Sequence, residues 1–203
     1  MHRIIRLVPI ALAVLALGAC GSPKPIKLYT IQVPAAPTPT THTYALDMLV
    51  ARVTGPSVLE GEPIVYKTSS NQIGTYSFHR WTDPPVDMVQ DKLMRLLRKS
   101  GDYQSVGPAE KSLAGELIVR GRLDEFSEVD GAAISGLVTM EFELYSRKTG
   151  KILWSHFYSQ SEPVEGKLVP AVVQALDRNL DRGLNEVVAG LKQYFAANPP
   201  GRS

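Results

Sequence analysis

The chain has 203 residues, with 22 Lys and Arg, 20 Asp and Glu, 44% hydrophobic residues and one cysteine. This composition fits one globular domain with its own core and excludes an intrinsically disordered chain, which would be poorer in apolar residues. Arg3 and Arg6 lie in an N-terminal segment without acidic residues, so the rest of the chain is charge-balanced and has no basic excess for binding nucleic acid.

The first 20 residues have the pattern of an export signal. A basic start is followed by an uncharged run over residues 7–17. This run is shorter than the about 20 apolar residues of a membrane-spanning helix, and it fits the apolar region of a secretory signal peptide. Gly18 and Ala19 then precede Cys20. This short sequence closely resembles the lipobox of bacterial lipoproteins. The alternative is an ordinary signal peptide with a chance cysteine.

The lipobox implies that the Cys20 thiol accepts a diacylglyceryl group and that a peptidase cleaves between Ala19 and Cys20. We therefore expect a signal peptide over residues 1–19, and a lipidated N-terminus with a short spacer over residues 20–25. Gly21 favours the periplasmic face of the outer membrane over the inner membrane, by analogy with enterobacterial sorting. With a single cysteine, the chain can form neither an intramolecular disulfide nor a cysteine-rich zinc site.

The domain that follows is predicted over residues 26–198, with a disordered tail over residues 199–203. Hydrophobic alternation and turn residues indicate its first strands. We predict strands over residues 26–33 and 44–53, separated by a Pro- and Thr-rich loop (34–43), and a hairpin of residues 64–68 and 73–78 around a turn at 69–71.

A helix is predicted directly after this hairpin. Asp83 can cap it, and Pro84 and Pro85 suit a first turn. Apolar residues recur at helical spacing over residues 86–97, which places one side of the helix against a core. Gly101 is expected to end the helix.

The second half of the chain alternates as strands and then as a helix. Strands are predicted over residues 103–106, 117–126, 137–146 and 152–159, and the last two form a hairpin. One face of the last strand is expected to carry Ile152, Trp154, His156 and Tyr158. A helix over residues 167–197 has an apolar stripe that indicates a core-facing side. A partner helix or a membrane-surface helix is the alternative.

The sequence contains no known catalytic pattern. His42, His79 and His156 do not stand at metal-ligand spacing, and no nucleophile elbow, zinc-protease motif or phosphate loop occurs. Glu141 and Glu143 share a strand face, where a solvated pair is the ordinary arrangement and a catalytic pair the alternative. We therefore expect neither an enzyme nor a cofactor or metal site.

The middle of the chain carries a family resemblance. Residues 62–67 read EPIVYK, residues 76–85 read YSFHRWTDPP, and the predicted helix and hairpin follow in order. This arrangement is similar to the ABC-type transport auxiliary lipoproteins, which include the lipoprotein component of the paraquat-inducible transport system that works with MCE-domain lipid transporters. Lys67 and Thr82 stand where the family pattern has Arg and often Ala, and a lysine cannot reproduce a bidentate arginine contact.

The resemblance implies a non-enzymatic part of a trans-envelope lipid transport system. Its partners would be an MCE-domain protein and, through it, an ABC permease and ATPase. The chain would dock the MCE conduit at the outer membrane, as a homo-oligomer. The implied fold is a single α/β domain with a mixed, largely antiparallel sheet and two main helices packed on it, similar to the N-terminal domain of the Tol-system β-propeller protein.

Two other functions remain open from the sequence. One is a lipoprotein adaptor of another envelope assembly or secretion complex, which needs the same anchor and a small α/β domain. The other is a periplasmic binding module or a hydrolase, for which a deep apolar cavity or a polar cleft would be the sign.

Five residues of the middle motif are candidates for a protein interface or a lipid-contact edge, because aromatic residues and arginine are favoured at binding hot spots. They are Tyr66, Tyr76, His79, Arg80 and Trp81. The alternative is a strand-to-helix corner packed by Trp81, since large aromatic side chains commonly serve packing.

Overall fold

A computed structural model describes residues 24–35, 41–68, 72–111 and 115–200. The predicted signal peptide, Ala19 and Cys20 lie outside the described residues. So do part of the Pro- and Thr-rich loop, the hairpin turn at 69–71 and the end of the predicted tail. The described part forms one mixed sheet of eight strands with two α-helices around one core, which confirms the predicted single α/β domain.

Every predicted strand and both predicted helices are present. The strands are β1 (Lys27–Tyr29), β2 (Tyr44–Val50), β3 (Pro63–Thr68), β4 (Ile73–Trp81), β5 (Tyr103–Pro108), β6 (Leu117–Asp130), β7 (Ile134–Ser146) and β8 (Lys151–Pro163). The helices are α1 (Pro85–Ser100) and α2 (Val169–Ala197), and 3-10 turns lie at Ser57–Leu59 and Ala109–Lys111. β1 and β2 are shorter than predicted, whereas β4, β6 and β8 extend further.

The long strand β6 organises the sheet. On one side it pairs with β7, and β7 pairs with β8, both antiparallel. On its other side, residues 117–119 pair with β2 and residues 127–130 pair with β3, both parallel. β5 lies beside β2, while β4 and then β1 lie beside β3. The longest ladders are therefore antiparallel, as expected, and the parallel pairings are short. Strands β1 and β8 form opposite edges of the sheet.

Helix α1 ends as predicted but begins differently. Gly101 adopts a left-handed conformation (φ 69°) and closes the helix with a backbone hydrogen bond to Arg98, a role that favours glycine. The predicted cap at Asp83 is wrong. The chain enters the helix through Pro84, which has an extended ψ of 139° and accepts the first backbone hydrogen bonds, and no side chain caps the helix.

Helix α2 packs across β7 and β8, and its apolar stripe faces the core, as predicted. Leu176, Leu180, Leu184 and Leu191 are fully buried. Each of these leucines lies four or seven positions from the next, so all four project from one side of the helix. The alternatives of a partner helix or a membrane-surface helix are therefore not needed to explain the stripe.

The prediction that Ile152, Trp154, His156 and Tyr158 share one face of β8 is wrong for Ile152. Tyr145 lies opposite Ile152, but the preceding Leu144 lies opposite Trp154, so Leu153 is an extra residue in the ladder. A bulge of this kind reverses the alternation of side chains on one side of it. Ile152 is consequently 55% exposed, while Leu153 packs against the core.

Candidate functional site

The candidate interface residues lie at an irregularity of β4. Val65 of β3 lies opposite Thr75, whereas Pro63 lies opposite Arg80. Two steps along β3 therefore correspond to five along β4, and residues 76–79 form a bulged segment. Such irregularities bend a strand and redirect its side chains. Here this segment brings together aromatic side chains that simple alternation would separate.

Four aromatic rings form a continuous cluster at this bulge. The ring centroids of Tyr66 and Tyr76 lie 5.2 Å apart, and those of Tyr76 and His79 lie 5.7 Å apart. Tyr29 of the edge strand β1 stacks on His79 at 5.6 Å, and its Oη lies 2.9 Å from His79 Nδ1 in a hydrogen bond. The Tyr66 ring covers Gly74, where a Cβ atom would collide with its Cζ and Oη. These contacts fix the rings in place.

The cluster borders an open groove of about 490 Å³ whose lining includes Tyr66, Tyr76, His79, Glu128 and Asp130; we call it the aromatic groove. Tyr76 Oη donates a hydrogen bond of 2.8 Å to Glu128 Oε2. Glu128 is only 6% exposed. Burial, together with this bond and the nearby carboxylate, raises the pKa of Tyr76 well above its ordinary value, so the phenol remains a neutral donor at physiological pH.

The aromatic groove has an acidic floor. Among the described residues that line it, Glu128 and Asp130 are acidic and none is a Lys or an Arg. The groove can therefore accept a positively charged group beside aromatic faces, an arrangement that suits ammonium and guanidinium groups.

The remaining two candidate residues lie elsewhere. Trp81 is fully buried and packs against Phe126 at a ring distance of 5.3 Å, so its assignment to an interface is corrected: it packs the core, as the alternative foresaw. Arg80 points away from Trp81, and its side chain is 39% exposed. Its guanidinium lies 3.9 Å from Glu62 Oε2. Of the five candidate residues, three therefore line the groove, Trp81 lies in the core, and Arg80 lies on the outer face.

The structure also reveals a buried ion cluster that the sequence reading missed. Lys92 of α1 is 0% exposed, and its Nζ lies 2.7 Å from an Oδ1 of both Asp177 and Asp181 of α2. One sequence signal could have indicated it. Lys92 stands three residues after Val89 and four before Leu96, on the apolar stripe of α1, where a lysine requires a partner.

Within the described part of the chain, the other titratable candidates lie apart from one another. His42 is exposed. His156 stacks on Trp154 at 6.0 Å and lies 3.2 Å from Glu186 Oε2 at the contact of β8 with α2. No group of three or more His, Cys, Asp or Glu in the described ranges is placed to hold a metal ion.

Glu141 and Glu143 lie on the outer face of β7. They point away from the core on β7, opposite Arg122 and Arg120 of β6, respectively. The Arg120 guanidinium lies 3.5 Å above the Tyr145 ring. The carboxylates therefore belong to a charge-balanced outer face.

None of the described helices combines the length and the apolar character needed to cross a bilayer.

Solved structures with the same fold come from other bacteria. Protein XCC0632 from Xanthomonas campestris matches with a TM-score of 0.71 at 16% identity, over 82% of this chain and 98% of its own. The hypothetical protein CT253 from Chlamydia trachomatis matches with a TM-score of 0.54 at 11% identity, over 75% of this chain and 99% of its own. At these identities the likeness shows the fold alone. No curated protein matches the chain.

The sequence itself identifies the family. A family model described as the ABC-type transport auxiliary lipoprotein component matches residues 29–188. This range runs from the end of β1 to the middle of α2 and includes the aromatic groove and most of the core. The chain therefore belongs to the ABC-type transport auxiliary lipoprotein family.

Proposed function

We propose that this chain is the non-catalytic lipoprotein that docks an MCE-domain protein at the outer membrane, within an ABC-type trans-envelope lipid transport system. The family match over residues 29–188 carries the proposal, because the family is named as an auxiliary component of ABC-type transport. The permease and ATPase would be separate chains, reached through the MCE-domain protein. Cys20 would hold the domain at the membrane.

The aromatic groove is the proposed docking site. Tyrosine side chains are favoured at interface hot spots because they bury a large area with few rotatable bonds. Glu128 and Asp130 give the groove a negative charge. We therefore expect a basic side chain of the MCE-domain protein to enter the groove and lie against Tyr66 or Tyr76.

The first test is binding between the acylated chain and the MCE-domain protein of the same organism, measured by calorimetry. Asp130→Lys reverses the charge of an exposed groove residue and should weaken binding at least tenfold, which corresponds to about 1.4 kcal/mol. Glu60→Lys makes the same charge change at another exposed site and should leave binding unchanged. Equal effects of the two variants would reject the groove, and no binding by the unaltered chain would reject the partner.

A second test separates this function from that of an adaptor of another complex. Cross-linked envelopes should yield the MCE-domain protein, permease and ATPase with this chain after affinity capture. Recovery of a secretion complex without them would support the alternative adaptor. Sedimentation of the acylated chain with inner-membrane fractions would contradict docking at the outer membrane.

Self-association also belongs to the proposal. Among the described strands, the 13-residue β8 pairs with β7 alone, and long open edges readily pair with a second chain. Analytical ultracentrifugation of the detergent-solubilised lipoprotein should give a mass greater than one chain. A monomer across the micromolar range would contradict it.

A further inference from the structure

Three exposed apolar side chains lie at the β1 edge of the sheet. In the described ranges, Ile26 is 53% exposed, Leu28 63% and Phe78 42%. Lys24 extends over the Phe78 ring, with its Nζ 5.8 Å from the ring centroid. We call these four residues the β1 patch.

Strand register places the apolar residues of the β1 patch on one outer face. Leu28 lies opposite Arg80 of β4. The adjacent Trp81 is fully buried, so Arg80 and Leu28 point away from the core. Ile26 stands two positions before Leu28 and Phe78 two before Arg80, and both are exposed; Phe78 also lines the aromatic groove, so the patch borders that groove.

The edge that carries the patch is firmly attached. Tyr29 is stacked on and hydrogen-bonded to His79, and its backbone carbonyl accepts a hydrogen bond of 2.8 Å from Thr82. Leu28 and Phe78 are thus part of the folded domain, whereas Lys24 belongs to the end of the predicted spacer.

Chain length brings this patch close to the anchor. Lys24 is four residues after Cys20, and four residues span at most about 14 Å even when fully extended. A domain tethered at Cys20 must therefore keep Lys24 within that distance of the lipid to which the thiol is joined, and Leu28, eight residues after Cys20, within about 29 Å.

The chemistry of the patch matches a lipid surface. Aliphatic and aromatic side chains can enter the boundary between headgroups and acyl chains, while a lysine beside them keeps its ammonium group among the headgroups. With a tether alone, such side chains would remain in water. Their contact with the nearby bilayer is more favourable than exposure, because it removes apolar surface from water.

We propose that Ile26, Leu28 and Phe78, with Lys24, seat the domain on the membrane that holds Cys20. The inference rests on the anchor that the proposed function includes, and it goes beyond tethering. The domain then takes one orientation. The β1 edge faces the membrane, and β8, on the opposite edge of the sheet, faces away from the lipid. The aromatic groove, which begins beside β1, then stands just above the membrane surface.

A single introduced cysteine can report this orientation. Cys20 is the only cysteine, and its thioether leaves no free thiol, so a thiol-reactive fluorophore labels the introduced residue alone. Leu28→Cys probes the patch and Phe157→Cys on β8 is the matched control, because both native side chains are 63% exposed. The acylated chain is placed in vesicles of phosphatidylethanolamine and phosphatidylglycerol that contain nitroxide-labelled lipid.

The expected result is at least twofold quenching at position 28 together with a blue-shifted emission, and little change at position 157. Equal quenching at the two positions would overturn the proposal. So would shielding at position 28 that requires the MCE-domain protein, because the patch would then be a protein interface. Ile26→Ser combined with Phe78→Ser should reduce the quenching at position 28, and circular dichroism checks that this variant folds.

The two proposals can fail separately. Mass spectrometry shows whether Cys20 is acylated, and calorimetry shows whether the MCE-domain protein binds. Binding without quenching at position 28 rejects the membrane seat and leaves the docking function standing. Quenching at position 28 without binding of the MCE-domain protein rejects the docking function and leaves the membrane contact of the β1 patch standing.

Discussion

Lys92 of α1 and Asp177 of α2 form a buried ion pair across the helix–helix contact, with Nζ 2.7 Å from Oδ1. The Asp177 carboxylate also accepts the backbone N–H of Gln32 at 3.2 Å. One carboxylate thus joins both helices and the segment after β1. Asp181, at 48% exposure, contributes the second contact to Lys92.

Removing the buried partner of this pair should destabilise the domain more than removing the exposed one. Asp177→Asn leaves the Lys92 ammonium with incomplete compensation and should lower the free energy of unfolding by about 3 kcal/mol. Asp181→Asn should cost less than about 1 kcal/mol, since its carboxylate is well solvated. Urea unfolding of both variants measures the difference, and equal losses would show that Asp177 has no special role.

A buried polar network under α2 leads to a second prediction. Tyr158 Oη donates to Asn179 Oδ1 at 2.6 Å, and Asn179 Nδ2 donates to the carbonyl oxygens of Gln160 at 2.7 Å and Gly136 at 3.0 Å. Asn179→Leu should cost about 2–4 kcal/mol, because it leaves a hydroxyl and two carbonyls without this partner. Thermal unfolding checks it. The exposed Asn185→Ala is the control and should change stability by less than about 0.5 kcal/mol.

The pH dependence of stability should depend on Glu162. Its carboxylate accepts hydrogen bonds from Arg182 at 2.6 Å and Arg178 at 3.2 Å, and these bonds, that of Arg182 above all, lower the pKa of Glu162 in the folded state. A lowered pKa stabilises the fold above the unfolded value of about 4.3, and the stabilisation is lost as the pH falls through the folded pKa.

Glu162→Gln should therefore flatten the fall in unfolding free energy between about pH 5 and pH 3. Denaturant unfolding at a series of pH values measures this slope. Glu60→Gln, at an exposed site, should leave the slope as it is. An unchanged slope in Glu162→Gln would show that the ion pairs of Glu162 with Arg178 and Arg182 do not contribute to the pH dependence of stability.

The anchor has its own test. Cys20→Ala removes the only thiol and should abolish acylation, so that the protein accumulates as an uncleaved or soluble form. Incorporation of radiolabelled fatty acid measures this directly, and Ser22→Ala should retain the label. Label in the Cys20→Ala protein would refute the lipobox assignment.

Local patterns were enough to predict the order of elements. The β3–β4 and β7–β8 hairpins and both helices follow from alternation, helical spacing and turn residues, which depend on neighbours close in sequence. Gly101 ends α1 where predicted because a left-handed residue is a property of the local backbone. Alternation did not predict on which side of the sheet Ile152 and residues 76–79 of β4 lie. Bulges interrupt the alternation at both places, and no distinctive residue composition indicates them.

The sequence by itself determined the family, the hairpins and the two helices, because each depends on patterns of residues near one another along the chain. Only the tertiary structure decided that Tyr76 lines the aromatic groove while Trp81 fills the core, since this depends on the shifted register between β3 and β4. It also decided that Lys92 meets Asp177, 85 positions away, because the packing of α1 on α2 sets which side chains meet across that distance.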